Sequence, residues 1–270
     1  MIAVASVRDA LSAATDALGA AGCESPRLDA ELLLADALGA DRGTLVADPG
    51  RTIEPPAARI FGERVRRRIA REPVAYILGR RGFRRIDLAV DARVLIPRPE
   101  TELLVEVVLP LPRGAHVHDV GTGSGAVALA VKHERPDMRV TASDISPAAV
   151  EVARANAARL GLDVDVEVEA GLPASARDAD LVLANLPYVC DGEWAGLEPE
   201  ITLHEPRGAL TSGEDGLEAI RALVAGAPAG LRLALEHAPG QAEAVRGLLG
   251  GGRTLCDLSG RERVTLGTAP

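Results

Sequence analysis

The stretch "HDVGTGSGA", residues 118–126, sets glycines at 121, 123 and 125 between a strand-like run, "AHVHDV" (115–120), and a helix-forming one, "SGAVALAVKHE" (124–134). Without a Cβ at these positions the chain can turn sharply from strand to helix, and a ligand can lie against bare backbone near the positive end of the helix. Gly121, Gly123 and Ala126 satisfy the G-x-G-x-x-A spacing of a dinucleotide-binding turn, with Asp144 near the distance of its ribose-binding acid. The same residues also suit a turn that only lets the helix pack closely, with Asp144 capping the next helix.

Outward from this turn the texture alternates regularly. "MRVTASD" (138–144) reads as a strand, and "SPAAVEVARANAARLG" (146–161) as a helix with Ser146 as its cap and Pro147 at its first position. Further strands are expected in "VDVEVEA" (164–170), "DLVLAN" (180–185) and "GLRLALEH" (230–237), helices in "EDGLEAIRALVAGA" (214–227) and "GQAEAVRGLLG" (240–250), and a closing strand pair in "RTLCDL" and "RERVTLG". Strands alternating with helices predict an α/β fold, a parallel sheet covered on both faces with its ligand crevice at the strands' carboxyl ends. Upstream, Val7, Leu11, Ala14 and Leu18, and again Phe61, Val65 and Ile69, recur at helical spacing. We therefore expect a small helical domain over residues 1–78, a β-hairpin linker over 79–97 and a catalytic domain over 98–270.

Two acids and one tetrapeptide narrow the ligand. Asp119 stands at the end of a strand just before the glycines, where an anion is unwelcome beside a pyrophosphate but useful near the ammonium or sulfonium of S-adenosylmethionine. Asp144 closes its strand and can accept from both ribose hydroxyls. "LVLANLPYV" (181–189) ends an apolar strand on Asn185, beside the expected crevice. There the Asn185 side-chain oxygen and the Leu186 carbonyl can both accept from one NH2 group, Pro187 stiffens the turn, and Tyr188 can cover the planar group that carries the nitrogen. Seen alone, Asn-Leu-Pro-Tyr is an ordinary turn; in order after Asp119, the glycines and Asp144 it reads as the catalytic element of a methyltransferase. The alternatives are a methyltransferase for an exocyclic amine of a nucleic acid base, and an NAD-linked oxidoreductase.

The totals agree with a folded enzyme. The chain has 270 residues, 47% hydrophobic and 26% charged, with a formal net charge of −9, which disfavours a surface built to track a phosphate backbone. Nine arginines between Arg64 and Arg85 face Glu72 alone in that window, so they are expected either as a solvated face or as a docking patch for an acidic partner. Cys23, Cys190 and Cys256 are odd in number and lack metal-type spacing, so no disulfide framework and no metal site are expected and a reducing cytoplasm fits. Neither an apolar leader nor a membrane span is apparent. His116, His118 and His133 are expected as packed or solvated imidazoles.

With these residues in view the chain resembles the HemK/PrmC family, protein-glutamine N5-methyltransferases that modify the GGQ glutamine of peptide chain release factors. The resemblance runs through "PVAYILG", "GFRRIDLAVDARVLIPRPETELLVE", "DVGTGSGAVALAV", "ERPD", "NLPYV", "HEPRGAL", "GEDGL", "LEH" and "ERVTLG". It implies a five-helix N-terminal domain that helps recognise the release factor, and a class I S-adenosylmethionine-dependent methyltransferase domain with a seven-stranded, Rossmann-like sheet. By the same resemblance Gly121, Thr122, Gly123, Ser124 and Gly125 hold the methionine part of the cofactor, Asp144 its ribose, and Asn185, Leu186, Pro187 and Tyr188 the target glutamine, with Arg98–Glu102 bracing the site. The partner is then a protein, with neither nucleic acid nor membrane contacted directly. The chain departs from the family pattern in Leu186, where a proline is usual, which implies a looser turn. It departs again in "EAGLP" (169–173), which has neither the usual acid nor the usual aromatic at the matching place and leaves adenine to the backbone near Gly171.

Overall fold

A computed structural model describes residues 6–270. Contacts divide the chain into one unit that runs to Gly79 and also takes Glu198–His204, and a second formed by Arg80–Leu197 and Glu205–Pro270.

The first unit holds helices α1 (Val7–Ala20), α2 (Pro26–Ala37), α3 (Arg42–Ala47), α4 (Pro55–Ile69) and α5 (Val74–Leu78). Ser6 starts α1 by accepting from the Asp9 N–H, and the stripe Val7, Leu11, Ala14 and Leu18 is buried along it. That stripe packs with Leu33, Leu34, Phe61, Val65 and Ile77 in one apolar cluster. Ile69 departs from its expected stripe: it is the last residue of α4 and 41% exposed, so the buried face of that helix ends at Arg68.

The arginine cluster divides: Arg66, Arg80, Arg81 and Arg85 are exposed, while the other five are tied to acids. Arg64 pairs with Asp36 at 2.6 Å, Arg67 with Glu72 at 2.5 Å, and the buried Arg68 with Asp29 at 2.7 Å and Glu200 at 2.6 Å. Arg71 reaches Glu198 and Glu200, and in the second unit Arg84 holds Glu134 at 2.6 Å. Most of these acids lie far outside the 64–85 window, so a local charge count misreads the segment. Buried charge of this kind must be paired, because an unpaired guanidinium out of water is costly.

The second unit opens with a hairpin, β1 (Arg80–Phe83) and β2 (Ile86–Ala89), followed by α6 (Glu102–Glu106). The alternation then appears as β3 (His116–Val120), α7 (Ala126–Glu134), β4 (Arg139–Asp144), α8 (Pro147–Leu160), β5 (Asp165–Val168) and β6 (Leu181–Ala184). After α9 (Pro199–His204), which belongs to the first unit, come α10 (Glu218–Gly226), β7 (Arg232–Glu236), α11 (Ala242–Leu248), β8 (Arg253–Cys256) and β9 (Glu262–Thr268). Seven strands form one sheet in the order β5-β4-β3-β6-β7-β9-β8. Strands β3 to β7 pair in parallel as expected, whereas β9 runs antiparallel to both β7 and β8, so the sheet is mixed.

The chain leaves β3 towards one edge and returns to build β6 and β7 on the other side, which makes β3 and β6 the topological switch point where such sheets bind ligands. Both strands are buried at every position. The polar residues of β3 are therefore satisfied internally: His116 and His118 share the Thr141 hydroxyl at 3.0 and 2.8 Å, and His118 Nε2 meets Ser143 Oγ at 3.0 Å. Burial lowers the His118 pKa to about 4, which keeps it neutral and structural, while His133 is exposed. No described helix is long and apolar enough to cross a membrane, and the described residues contain no His, Cys, Asp and Glu group that could hold a metal ion.

Candidate active site

Two loops meet at the carboxyl ends of β3 and β6. Gly121, with φ +73°, lies so close to the second loop that a Cβ there would sit 2.9 Å from Leu186 Cδ2, so the first glycine is the contact between the two loops. A Cβ on Gly125 would press on Leu129 at 2.9 Å, which gives that glycine a packing role, while at Gly123 it would meet open space.

The end of β4 fixes the glycine loop from the other side. The Ser143 carbonyl accepts from the N–H groups of Gly121 and Thr122 at 2.9 and 3.0 Å. Asp144 accepts from the Gly123 N–H through Oδ2 and from the Ser146 N–H through Oδ1, both at 2.9 Å. Each carboxylate oxygen thus keeps capacity for one more donor. Asp144 faces a cleft of about 310 Å³, together with Gly121, Gly123, Ile145 and the Asn185–Pro187 turn. Ser146 caps α8, as its sequence position implies, by accepting from Ala149 N–H.

Asp119, Thr122 and Ser124 line a smaller recess of about 50 Å³ beside this cleft. Asp119 is 2% exposed and accepts from the Thr122 hydroxyl at 2.7 Å and the Ala128 N–H at 3.3 Å. Burial pushes its pKa up to about 7, helped by the nearby Asp144 and opposed by the two hydrogen bonds. A carboxyl whose folded pKa lies above its unfolded value favours the folded state most at low pH, and that contribution is lost as pH rises through about 7. Asp119→Asn escapes this loss, so its stability relative to the parent should climb between about pH 4 and pH 7, by at most about 4 kcal/mol. Paired denaturation curves across that range check this; a constant difference contradicts it.

Asn185 donates from Nδ2 to Thr101 Oγ1 at 3.0 Å, and among the described residues nothing donates to Asn185 Oδ1 or to the Leu186 carbonyl. The half-buried Leu186 side chain packs on the apolar cluster that includes Val120, Val182 and Ala184, so the position where a proline is usual is anchored by apolar contact instead. Pro187 lines the cleft. Tyr188 lines neither cavity; its carbonyl is held by Gln241 Nε2 at 2.9 Å, and the next residue, Val189, is bonded to Leu210 and Ser212. Of the "RPETE" segment, one residue touches the turn and two brace neighbouring chain. Thr101 meets Asn185, Arg98 bonds Glu205 at 2.5 Å, and Glu102 accepts from the Arg84 N–H at 3.1 Å.

Gly121, Gly123, Asp144, Asn185, Leu186 and Pro187 therefore share one cleft. Gly171 does not join them: it lies exposed in a turn after β5, with φ +81°, and the chain there directs Leu172 onto the core. The candidate residues that motif reading passed over are Gly216, Gln241 and Glu236. Gly216 has φ +72°, and a Cβ there would lie 2.1 Å from the Tyr188 carbonyl oxygen. "GEDGL" and "LEH" mark Gly216 and Glu236 in the sequence, but only the packing shows what they touch.

The arrangement joins open backbone at Gly123, an anionic acceptor at Asp144 and two unpaired oxygens on the Asn185–Leu186 turn. Such a cleft fits a nucleoside along its floor and a planar NH2 group at its end. Residues 9–79 match the family described as PrmC N-terminal domain, and residues 99–211 match the methyltransferase small domain. A release factor glutamine methyltransferase of Cereibacter sphaeroides is 41% identical over 273 residues, covering 97% of this chain and 98% of its own. Another from Mycolicibacterium smegmatis is 45% identical over 242 residues, covering 86% and 84%. In fold, the chain is similar to the T. thermophilus 16S rRNA N2 G1207 methyltransferase solved with AdoMet and guanosine, at TM-score 0.50 and 17% identity over 71% of this chain and 50% of that one. From residues, geometry and relatives together, the chain belongs to the family of release factor glutamine methyltransferases.

Proposed function

We propose that this enzyme transfers a methyl group from S-adenosylmethionine to the side-chain amide nitrogen (N5) of the GGQ glutamine of a peptide chain release factor. The observation that carries the reading is the pair of oxygens without a protein donor, Asn185 Oδ1 and the Leu186 carbonyl, beside the cleft that Asp144 and Gly123 line.

An amide nitrogen is a poor nucleophile because its lone pair is shared with the carbonyl. Asn185 Oδ1 and the Leu186 carbonyl each accept one of its N–H groups, which fixes the nitrogen and favours density on it; Pro187 and the half-buried Leu186 side chain keep the two oxygens in place beforehand. Alignment of this kind is worth on the order of 7 kcal/mol or more in favourable cases. Asp144 takes the ribose hydroxyls, and the Gly121–Gly125 backbone with Asp119 takes the amino acid end of the cofactor. Bound there, S-adenosylmethionine supplies an electrophilic methyl carbon next to a sulfur that leaves as a neutral thioether. Tyr188, held through its carbonyl by Gln241, anchors the far end of the turn and does not line the cleft. The helical unit, Val7 to Leu78 among the described residues, serves recognition of the factor. The partner works in the cytoplasm, which three free cysteines suit, and nucleic acid has no part in the contact.

Incubated with methyl-labelled cofactor, the cognate release factor should take up label, and a factor with its GGQ glutamine replaced should not. Equal labelling of both, or label on RNA alone, sinks the reading.

A further inference from the structure

Glu236 ends β7 one position beyond the parallel pair Ala184↔Leu235, so it stands next to Asn185 at the carboxyl ends of neighbouring strands. It is fully buried, and its two carboxyl oxygens are the buried side-chain polar atoms left without a hydrogen-bond partner among the described residues. The hydroxyls of Thr101 and Tyr188 face it closely enough to favour its anion, although neither closes an ordinary hydrogen bond onto it. A buried carboxyl left this way is costly, and its position under both ends of the Asn185–Tyr188 turn calls for a role.

That role follows from the direction of one hydrogen bond. A threonine hydroxyl has a single proton, and an asparagine amide can present either its oxygen or its nitrogen to it. With a carboxylate on one side, the Thr101 proton turns towards Glu236, and the lone pair left for Asn185 fits only its NH2. The Asn185 oxygen is then turned to the cleft. If the carboxyl is neutral, Thr101 can instead donate to Asn185 Oδ1, and an NH2 would confront the NH2 of the target.

We propose that Glu236 is a positioning residue: its carboxylate sets the direction of the Asn185–Thr101 hydrogen bond, so that the Asn185 oxygen faces the target amide, and it orients the Tyr188 hydroxyl at the other end of the turn. This rests on the reading of Asn185 as the target's acceptor. Burial raises the Glu236 pKa to about 7; Glu100 pushes in the same direction, while Thr101, Tyr188 and Arg263 oppose it. Arg263 itself lies 3.9 Å from Glu100 and 2.9 Å from Asp257, and Arg98 acts on Tyr188. The charge that sets the direction is therefore lost as pH falls through about 7.

The test compares wild type, Glu236→Gln, Thr101→Val and Thr101→Ser between roughly pH 6 and pH 9. Turnover on the release factor should drop about tenfold or more in Glu236→Gln and Thr101→Val, because the Asn185 amide is then free to turn its NH2 to the cleft, and Thr101→Ser should restore it. The acid limb of kcat should vanish in the first two variants, with the calorimetric Kd for S-adenosylmethionine unchanged. Independently of activity, the Asn185 side-chain NH2 resonances should shift through about pH 7 in wild type and stay fixed in Glu236→Gln. Resonances that do not move, or move alike in both, overturn the proposal, as does wild-type turnover with an unchanged limb in Glu236→Gln. A wild-type protein that titrates as described but leaves the release factor unmethylated would instead defeat the proposed function.

Discussion

Replacing Asn185 by alanine is expected to lower turnover on the release factor by about 10² to 10³, the loss seen when one fixed hydrogen-bonding group is removed from a reacting centre. The side chain supplies one of the two acceptors on the turn, and Thr101 holds its nitrogen at 3.0 Å, so its oxygen is the group with no other task. Alanine removes that oxygen and leaves Thr101 without its donor, but it spares the Leu186 carbonyl, the glycine loop and Asp144. The affinity for S-adenosylmethionine should therefore change far less than kcat. Calorimetry beside a single-turnover assay separates the two; an unaffected rate removes Asn185 from the chemistry.

Gly216→Ala should damage both stability and turnover, although the residue lies well away in sequence from the glycine loop and from Asn185. The new methyl would fall 2.1 Å from the Tyr188 carbonyl oxygen and 2.7 Å from Gln241 Nε2, and the backbone there has φ +72°. Neither the carbonyl nor the left-handed backbone can yield cheaply, so a destabilisation of about 2 to 4 kcal/mol is expected. Whatever relief occurs must move Tyr188 or break the Gln241 bond that holds it. Turnover measured well below the melting transition should therefore fall with the stability. Gly226→Ala, where a Cβ meets nothing within 4 Å, should leave turnover as it is. Equal activity in the two variants would show that the Tyr188 carbonyl need not be held.

Much of this site was legible as chain pattern because its parts are strand ends. Asp119, Gly121 and Gly123 end one strand, Asp144 another and Asn185 a third, and parallel strands in such a sheet deliver their carboxyl ends to one edge. Burial patterns were legible where one apolar stripe decides them, as in Val7, Leu11, Ala14 and Leu18. Ionic structure was not. Arg64, Arg68, Arg71 and Arg84 look like an open basic tract until Asp36, Asp29, Glu200 and Glu134 arrive from other elements. The supports of the Asn185–Tyr188 turn were hidden for the same reason: Thr101, Gly216, Glu236 and Gln241 reach it only through the tertiary fold and the β6–β7 pairing. Gly171, which the resemblance leaves for adenine, lies in an exposed turn and does not line the cleft.

The proposed chemistry requires two oxygens to hold one carboxamide, and the most direct measurement is a crystal structure of the enzyme with S-adenosylhomocysteine and a peptide carrying the GGQ sequence. The glutamine nitrogen should lie about 3 Å from both Asn185 Oδ1 and the Leu186 carbonyl oxygen, with Asp144 on the ribose. A carboxamide seated elsewhere, or an Asn185 that meets it with Nδ2, would contradict the account.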